Sequence, residues 1–348
     1  MSKPKYQCRL LPEQDHGLWD GLIEKSERGA VFHQTFWLKS FGRLVDVIGC
    51  YEAGEFAGGM SLCYQQIAGL KIVRPPYLTP YLGPVVFKTG GKRHRVLTLE
   101  KDIASSLIDY VTKHYDFVRT PLSLNCTDAQ PFQQNGFTVD IEYTYVIDLD
   151  DMDRVWKDLN QDRRRKIRKG HDEGLSCELS DDLDEFFHLW VHSLASHDKH
   201  LSQSRFGEVR NWYGVLAAKN RAKLLKIRDP LGRVCAGAIL VWDHRRAYYL
   251  LSGMNRDIAS GNSMALLIWE CMRFCKEEAG IAEFDFDGSD VPGVEVFFRG
   301  FGGRLIPRFS VMWGRPLIWP IRQSWKAKAA ISQLSARARA SFQGHNKG

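Results

Sequence analysis

Apolar and polar positions alternate in changing registers along the chain, and the changes mark its elements. Residues 31–37 form an apolar, aromatic run. Val45-Asp46-Val47-Ile48-Gly49-Cys50-Tyr51 and residues 56–64 read as strands, joined by a hairpin turn at Glu52-Ala53-Gly54-Glu55. Residues 75–84 hold four prolines. Each lacks a backbone donor, so this stretch is neither helix nor central strand. It reads as a rigid loop carrying Tyr77 and Tyr81, either a pocket wall or a pinned connection. Leu99, Ile103, Leu107 and Val111 recur at helical spacing and predict a helix over 98–115, with strands at 117–125 and 138–149.

Asp148, Asp150, Asp151 and Asp153 cluster where the next helix opens, favoured by the positive end of its dipole. A domain boundary is placed here, dividing residues 1–149 from 150–316. The second half predicts helix 152–173, strand 175–180, and helices at 182–197 and 204–219. Strands 222–229, 233–243 and 246–253 follow, then helix 262–279, strand 281–287, a short helix at 292–299 and a last strand at 304–313. This is an α/β class with mixed sheets and an antiparallel hairpin core, not a uniform βαβ repeat.

Hydrophobic residues are 44% and charged residues 26% of 348, which excludes a disordered or fibrous chain. Mean hydropathy is −0.31, and no apolar run reaches the ~18 residues of a membrane span. Met1-Ser2-Lys3-Pro4-Lys5 leads into polar residues, so no signal peptide and a cytoplasmic location are expected. The eight cysteines are scattered without a CxxC pair and are expected to be reduced, mostly core thiols.

Charge is unevenly placed. The net charge is +7, yet residues 301–348 hold nine Lys/Arg and no acid, leaving 39 basic against 41 acidic groups elsewhere. Residues 317–348 therefore read as a basic tail, expected to be helical, with a loose apolar stripe of Ile321, Trp325, Ile331, Leu334 and Phe342. It suits peripheral contact with an anionic inner membrane face, or is a solvated terminus.

The helix Asp162-Arg163-Arg164-Arg165-Lys166-Ile167-Arg168-Lys169 packs six cations into two turns. Arg163 falls within the apolar stripe of Met152, Val155, Trp156, Leu159 and Ile167, so it must snorkel, pair or face a cleft. The others form a solvated face or read phosphates. His188 and His192 stand at i, i+4, followed by His197 and His200, without the Glu of an H-E-x-x-H motif; they read as surface and packing residues, and no metal site is expected. Cys271 and Cys275 read as core thiols. G-x-S-x-G, P-loop and G-x-G-x-x-G signatures are absent.

The sharpest segment is Phe284-Asp285-Phe286-Asp287-Gly288-Ser289-Asp290. Strand alternation puts Phe284 and Phe286 on one face, Asp285 and Asp287 on the other. Two carboxylates at a strand end are costly unless paired or solvated. The alternative is a cap for the helix that follows.

This phrase, followed by Phe297-Phe298-Arg299-Gly300-Phe301-Gly302, resembles the FemAB-like branch of the GNAT acyltransferase superfamily. Arg164-Arg165-Lys166-Ile167-Arg168-Lys169 resembles that branch's R-R-x-I-R-K helix. Residues 128–137 leading to 143–149 resemble the strand entering its second domain. Phe32-His33-Gln34-Thr35-Phe36-Trp37 resembles its F-x-Q-x-x-W signature.

The resemblance implies two tandem GNAT-like domains with a cleft between them. It implies metal-free transfer of an acyl or aminoacyl group to an amine. The donor would be acyl-CoA or aminoacyl-tRNA, with no tightly bound cofactor. The acceptor would be a small molecule or a glycan precursor of the cell envelope or of polysaccharide synthesis. Two positions depart from the pattern. Phe298 replaces the family's Lys, and the 256–263 loop has one glycine where a phosphate loop has more. The long coiled-coil insertion of some members is absent.

Arg299 is therefore expected to stabilise the oxyanion, and Asp285 to orient or deprotonate the amine. Arg164 and Arg168 are expected on phosphates, and Asp287, Ser289, Gln34, Trp37 and Tyr249 along the cleft. The rival reading is a catalytically degenerate pair that binds an anionic polymer or surface.

Overall fold

The first hairpin closes on Ala53 (φ 50°) and Gly54 (φ 88°), successive left-handed residues whose twist suits a two-residue turn. The computed structural model describes residues 6–87, 90–195, 203–288 and 292–316. The expected basic tail, 317–348, lies outside these residues, as do Ser289, His197 and His200.

The first half runs β1 (Gln7–Leu11), α1 (His16–Lys25), α2 (Thr35–Lys39), β2 (Leu44–Glu52), β3 (Glu55–Ile67), β4 (Leu70–Val73), β5 (Val85–Val86), α3 (Arg93–His114), β6 (Phe117–Pro121), α4 (Gln130–Gln134) and β7 (Thr138–Asp148). The second runs α5 (Met152–Asp158), α6 (Gln161–Asp172), β8 (Ser176–Ser180), α7 (Leu183–Ala195), α8 (Gln203–Ala217), β9 (Ala222–Arg228), β10 (Val234–Trp242), β11 (Arg246–Met254), α9 (Gly261–Glu277), β12 (Glu283–Asp285), α10 (Pro292–Arg299) and β13 (Arg304–Gly314).

One mixed sheet runs through both halves, in the order β1-β2-β3-β4-β6-β13-β7-β12-β11-β10-β9-β8, with β5 on β3. The last strand, β13, lies between β6 and β7, antiparallel to both. The second half thus completes the sheet of the first.

Period-two alternation sorts side chains onto two faces. On one, Tyr145, Ile147, Ala247, Tyr249, Phe284 and Phe286 meet residues of α5, α6, α9 and α10. On the other, Leu224, Ile239, Val241, Tyr248 and Leu250 pack with Phe186, Trp190 and Trp212, and with Phe32, Trp37 and Tyr81 from the first half. Trp37 is fully buried and meets Phe32 and Phe41 edge-on, contacts worth about 0.5–1.5 kcal/mol beyond area burial. This aromatic core ties the halves together.

Two expectations are corrected. The 152–173 helix is two helices, because Asn160 caps the second: its side chain accepts from the Arg163 N–H at 2.8 Å. The cysteines are not all free thiols. Cys8 and Cys50 are directly opposed on β1 and β2, with Cα atoms 4.2 Å apart, and form a disulfide; closely opposed antiparallel positions bring the two sulfurs within bonding reach.

Candidate active site

β12 is three residues long and lies parallel to β11, with Tyr248 opposite Asp285. β11 continues to Met254 without β12 beside it. The sheet therefore parts at Asp285, between parallel strands joined through α9, where α/β folds place ligands. The chain leaves β12 through Asp287 (φ 57°) and Gly288 (φ 75°). A Cβ at Gly288 would stand 2.4 Å from the Tyr143 carbonyl oxygen, so this sharp exit needs glycine.

Asp285 is fully buried. Its carboxylate accepts from the Tyr81 hydroxyl at 2.7 Å, the Thr144 hydroxyl at 2.6 Å and the Asp287 N–H at 2.9 Å. These donors come from three separate parts of the chain and offset the cost of burying the charge. Asp287, with a side chain 21% exposed, accepts from Arg308 Nη1 at 3.0 Å, while Arg308 Nη2 lies 3.0 Å from Glu142. Burial pushes the Asp287 carboxyl up to about 7; Arg308 opposes the shift and Asp285 adds to it. Two carboxylates, Asp287 and Glu142, thus meet one guanidinium, with Asp285 buried beside them.

Tyr248 closes the inner wall. Its hydroxyl donates to Asp243 at 2.8 Å, and its ring meets those of Phe32 and Tyr81. Burial raises both tyrosines well above the ordinary phenol range, and the carboxylate beside each adds to the shift. Tyr77, 41% exposed, stands at the rim under the Arg205 guanidinium, 4.6 Å from its ring centroid.

The residues expected from sequence separate into groups. Asp285 and Asp287 stand together, and Phe284 and Phe286 face the opposite core. Tyr249 is on that core face as well, among Phe284, Phe286 and Phe298. Its neighbour Tyr248 faces the cleft instead, because successive strand residues point to opposite sides. Gln34 is interior, its amide donating to the Asp20 carbonyl and to Glu24. Trp37 is interior too, its indole donating to Thr79 at 2.9 Å. Both hold α2 and the proline loop in place rather than line an opening.

Arg299 is on the outer side of α10, 62% exposed and 3.6 Å from Glu295. Its predecessor Phe298 is buried against Phe286, with centroids 4.5 Å apart. Arg163, the misfit in the apolar stripe, is buried: it pairs with Asp162 and packs 4.2 Å from the Phe297 ring centroid. Arg164 and Arg168 line an open groove of about 730 Å³ with Gln161, Asp162, Arg165 and Lys169. Thr144, Tyr248 and Arg308 were missed, while Tyr81 reads only as part of a loop that could wall a pocket. The other three carried no local sequence signal.

Residues 157–299 match the family described as acetyltransferase (GNAT) domain. The match lies within the second half, from α5 to the end of α10. The matched residues include the parting strands β11 and β12 and the helix α9 that joins them. Three solved structures share the wider architecture. FemX is 15% identical, covering 90% of this chain and 99% of its own, with TM-score 0.66. The C-terminal domain of a putative lysylphosphatidylglycerol synthetase from Agrobacterium fabrum is 15% identical, covering 86% and 92%, with TM-score 0.55. A tandem GNAT protein from the clavulanic acid biosynthesis pathway is 12% identical, covering 88% and 97%, with TM-score 0.52. No curated protein matches the sequence. The fold is a mixed α/β tandem GNAT fold, as in these structures.

Proposed function

We propose that this chain is an N-acyltransferase that moves an acyl or aminoacyl group from a phosphate-bearing donor to an amine of a cell-envelope or glycan precursor. The observation that carries the reading is Asp287: a carboxyl near pKa 7 beside a buried carboxylate, where the sheet of a GNAT domain parts. A base is most effective when its pKa lies near the working pH.

The acceptor amine attacks the donor carbonyl carbon and a C–N bond forms. Asp287 takes the amine proton. The tetrahedral oxyanion then collapses, the carbonyl–sulfur or ester carbon–oxygen bond breaks, and the proton passes to the leaving group. Asp285 holds Tyr81 and the Asp287 N–H in position. Arg308 is the preferred cation for the developing charge, because it is fixed and largely buried, whereas Arg299 is exposed.

The donor phosphates are assigned to the start of α9, next to the basic face of α6. A Cβ at Gly261 would stand 3.7 Å from Lys166 Nζ, and Arg164 and Arg168 line the groove beyond. Acyl-CoA is the first donor to try, since residues 157–299 match the GNAT acetyltransferase family; aminoacyl-tRNA is the second. The names FemX and lysylphosphatidylglycerol synthetase support an envelope acceptor. The rival reading, a degenerate pair that only binds an anionic polymer, is favoured by Phe298, which puts a buried ring where the family has an amine.

The deciding experiment incubates the full chain with a panel of acyl-CoAs and aminoacyl-tRNAs and with amines of envelope precursors. Release of free thiol or deacylated tRNA with an amide product is expected. Tight binding of an anionic polymer with no turnover of any pair would favour the rival.

A further inference from the structure

On the side of the sheet that looks away from Asp285, β7 and β13 are inverted in polarity. Their pairing puts Ile141 opposite Phe309, Tyr143 opposite Pro307 and Tyr145 opposite Leu305, so these six side chains share one face. Ile141, Tyr143 and Leu305 are each more than half exposed, and Pro307 is exposed between them. The alternate residues Glu142, Thr144 and Arg308 face the cleft, with Thr144 fully buried and Arg308 largely so. Polar groups are turned inward and apolar ones outward, the reverse of a sheet with one wet face. Single apolar residues on a surface are ordinary, but four in adjoining register mark a surface that something covers.

Helices cover this face on both sides of the strip. Toward the first half, Val139, Phe309 and Val311 pack with Phe132 of α4 and with Phe137. Toward the second, the Tyr145 hydroxyl donates to Glu295 of α10 at 2.6 Å. Val139 and Tyr145 are about 20 Å apart at the usual strand rise, and a helix with its side chains is about 10–12 Å across. An added strand fits poorly. The Phe309 carbonyl accepts from the Leu122 N–H, so Pro307, two residues earlier, presents its backbone to the same outer edge, where it has no donor to offer. The gap suits one helix laid across it.

The chain's own tail can supply that helix. β13 ends at Gly314, and Arg315 is tied to the end of α3: its N–H donates to the Asp116 carbonyl at 3.0 Å and its guanidinium to the Lys113 carbonyl at 3.2 Å. The chain is thereby held on the helix-bearing side of the sheet. Residues 317–348 follow, with the apolar stripe Ile321, Trp325, Ile331, Leu334 and Phe342, and with six Lys/Arg and no acid from 321 onward. A helix over 321–342 would be about 33 Å long, against about 24 Å back along β13 from Gly314 to Pro307. Strip and stripe are tethered, and a tether gives a roughly millimolar effective concentration that any free partner must exceed.

We propose that residues 321–342 fold back as a helix whose apolar stripe covers Ile141, Tyr143, Leu305 and Pro307, with its cations outward. The tail then completes the helical layer between the two halves instead of anchoring the chain to a membrane. It braces β7, whose Thr144 and Glu142 hold Asp285 and Arg308. The proposal does not rest on the acyl-transfer reading.

The test puts the photo-cross-linker benzoylphenylalanine in place of Tyr143 in the full chain and maps its adducts by mass spectrometry. Adducts within one chain to residues 321–342 are expected. Hydrogen exchange is the second measurement: the amides of 321–342 should exchange about tenfold or more slowly in the wild type than in Tyr143→Asp/Leu305→Asp. The reciprocal variant Trp325→Asp/Leu334→Asp leaves the sheet untouched and should lose the Tyr143-site adducts. Adducts that persist in that variant overturn the proposal, as does equally fast tail exchange in the wild type and the sheet variant. Adducts joining two chains would make the strip a face between copies and overturn it too. A last arm uses vesicles of phosphatidylglycerol or of phosphatidylcholine. Sedimentation with the anionic vesicles that is lost in a chain ending at Pro320, together with no tail adduct in their absence, assigns the stripe to a lipid surface and overturns the proposal.

Discussion

Two clusters of charge lie in the second half and differ in their balance. At the edge near α7, Lys226 and Arg228 meet Glu178 and Glu185, two cations against two anions, with Lys226 only 2% exposed. Hydrogen bonds from Lys226 lead the effects that hold Glu185 below its ordinary range. At the parting of the sheet, Asp287 and Glu142 share Arg308, Asp285 lies beside them, and Asp287 is pushed the other way. A matched cluster settles each proton and leaves nothing to exchange. A surplus carboxyl near neutrality can take a proton and give it back.

The contrast is open to direct attack. Asp287→Asn should lower turnover by about 10²–10⁴, the range for losing a general base, while Glu185→Gln should leave it within about twofold. Similar losses in both would erase the distinction. Arg308→Gln should cost about 10²–10³ if it faces the oxyanion, and Arg299→Ala no more than about threefold, as for an exposed, weakly paired cation. The reverse ranking would return the role to Arg299.

The pH dependence separates the clusters by sign. Asp287 is raised from an ordinary 3.8 to about 7, so the folded chain holds an extra proton between those values. Its contribution to stability is full below about pH 4 and is lost as pH rises through about 7. Turnover should rise over the same approach to neutrality. Glu185 is lowered from 4.5; its contribution is present above that value and is lost as pH falls below it. Melting temperatures of Asp287→Asn and Glu185→Gln at pH 4, 5.5 and 8 should flatten opposite slopes. The smallest effect is Lys226→Met, about 1–2 kcal/mol of stability without change in turnover, because its partners remain partly solvated. Chemical denaturation measures it.

Much of the fold was legible because it is local. Alternation over 284–287 put the two phenylalanines and Asp285 on opposite faces, and the acidic cluster at 148–153 marked the start of α5, which Asp151 caps. What failed was whatever depends on distant register. Tyr249 and Tyr248 are equally apolar in sequence; only the pairing of β11 with β12 decides which one meets the cleft. The donors to Asp285 come from 204 and 141 residues away. Arg308 read as one polar residue in a final strand, because nothing local says that the strand inserts between β6 and β7. The break at Asn160 was missed since its neighbours are good helix formers, and a cap acts through geometry more than composition.

That insertion also bears on how the chain is made. β6 and β7 leave the ribosome with a gap between them that β13 fills only about 160 residues after β7, so a pairing this remote in sequence is slow to form. Until then each presents an unsatisfied strand edge, the kind of surface that invites pairing with another chain. A fragment ending at residue 149 would keep that gap for good. Expressed alone it should aggregate, and a synthetic peptide spanning 304–314 added during refolding should rescue it. The first half is therefore not an independent unit: it is finished by a piece of the second.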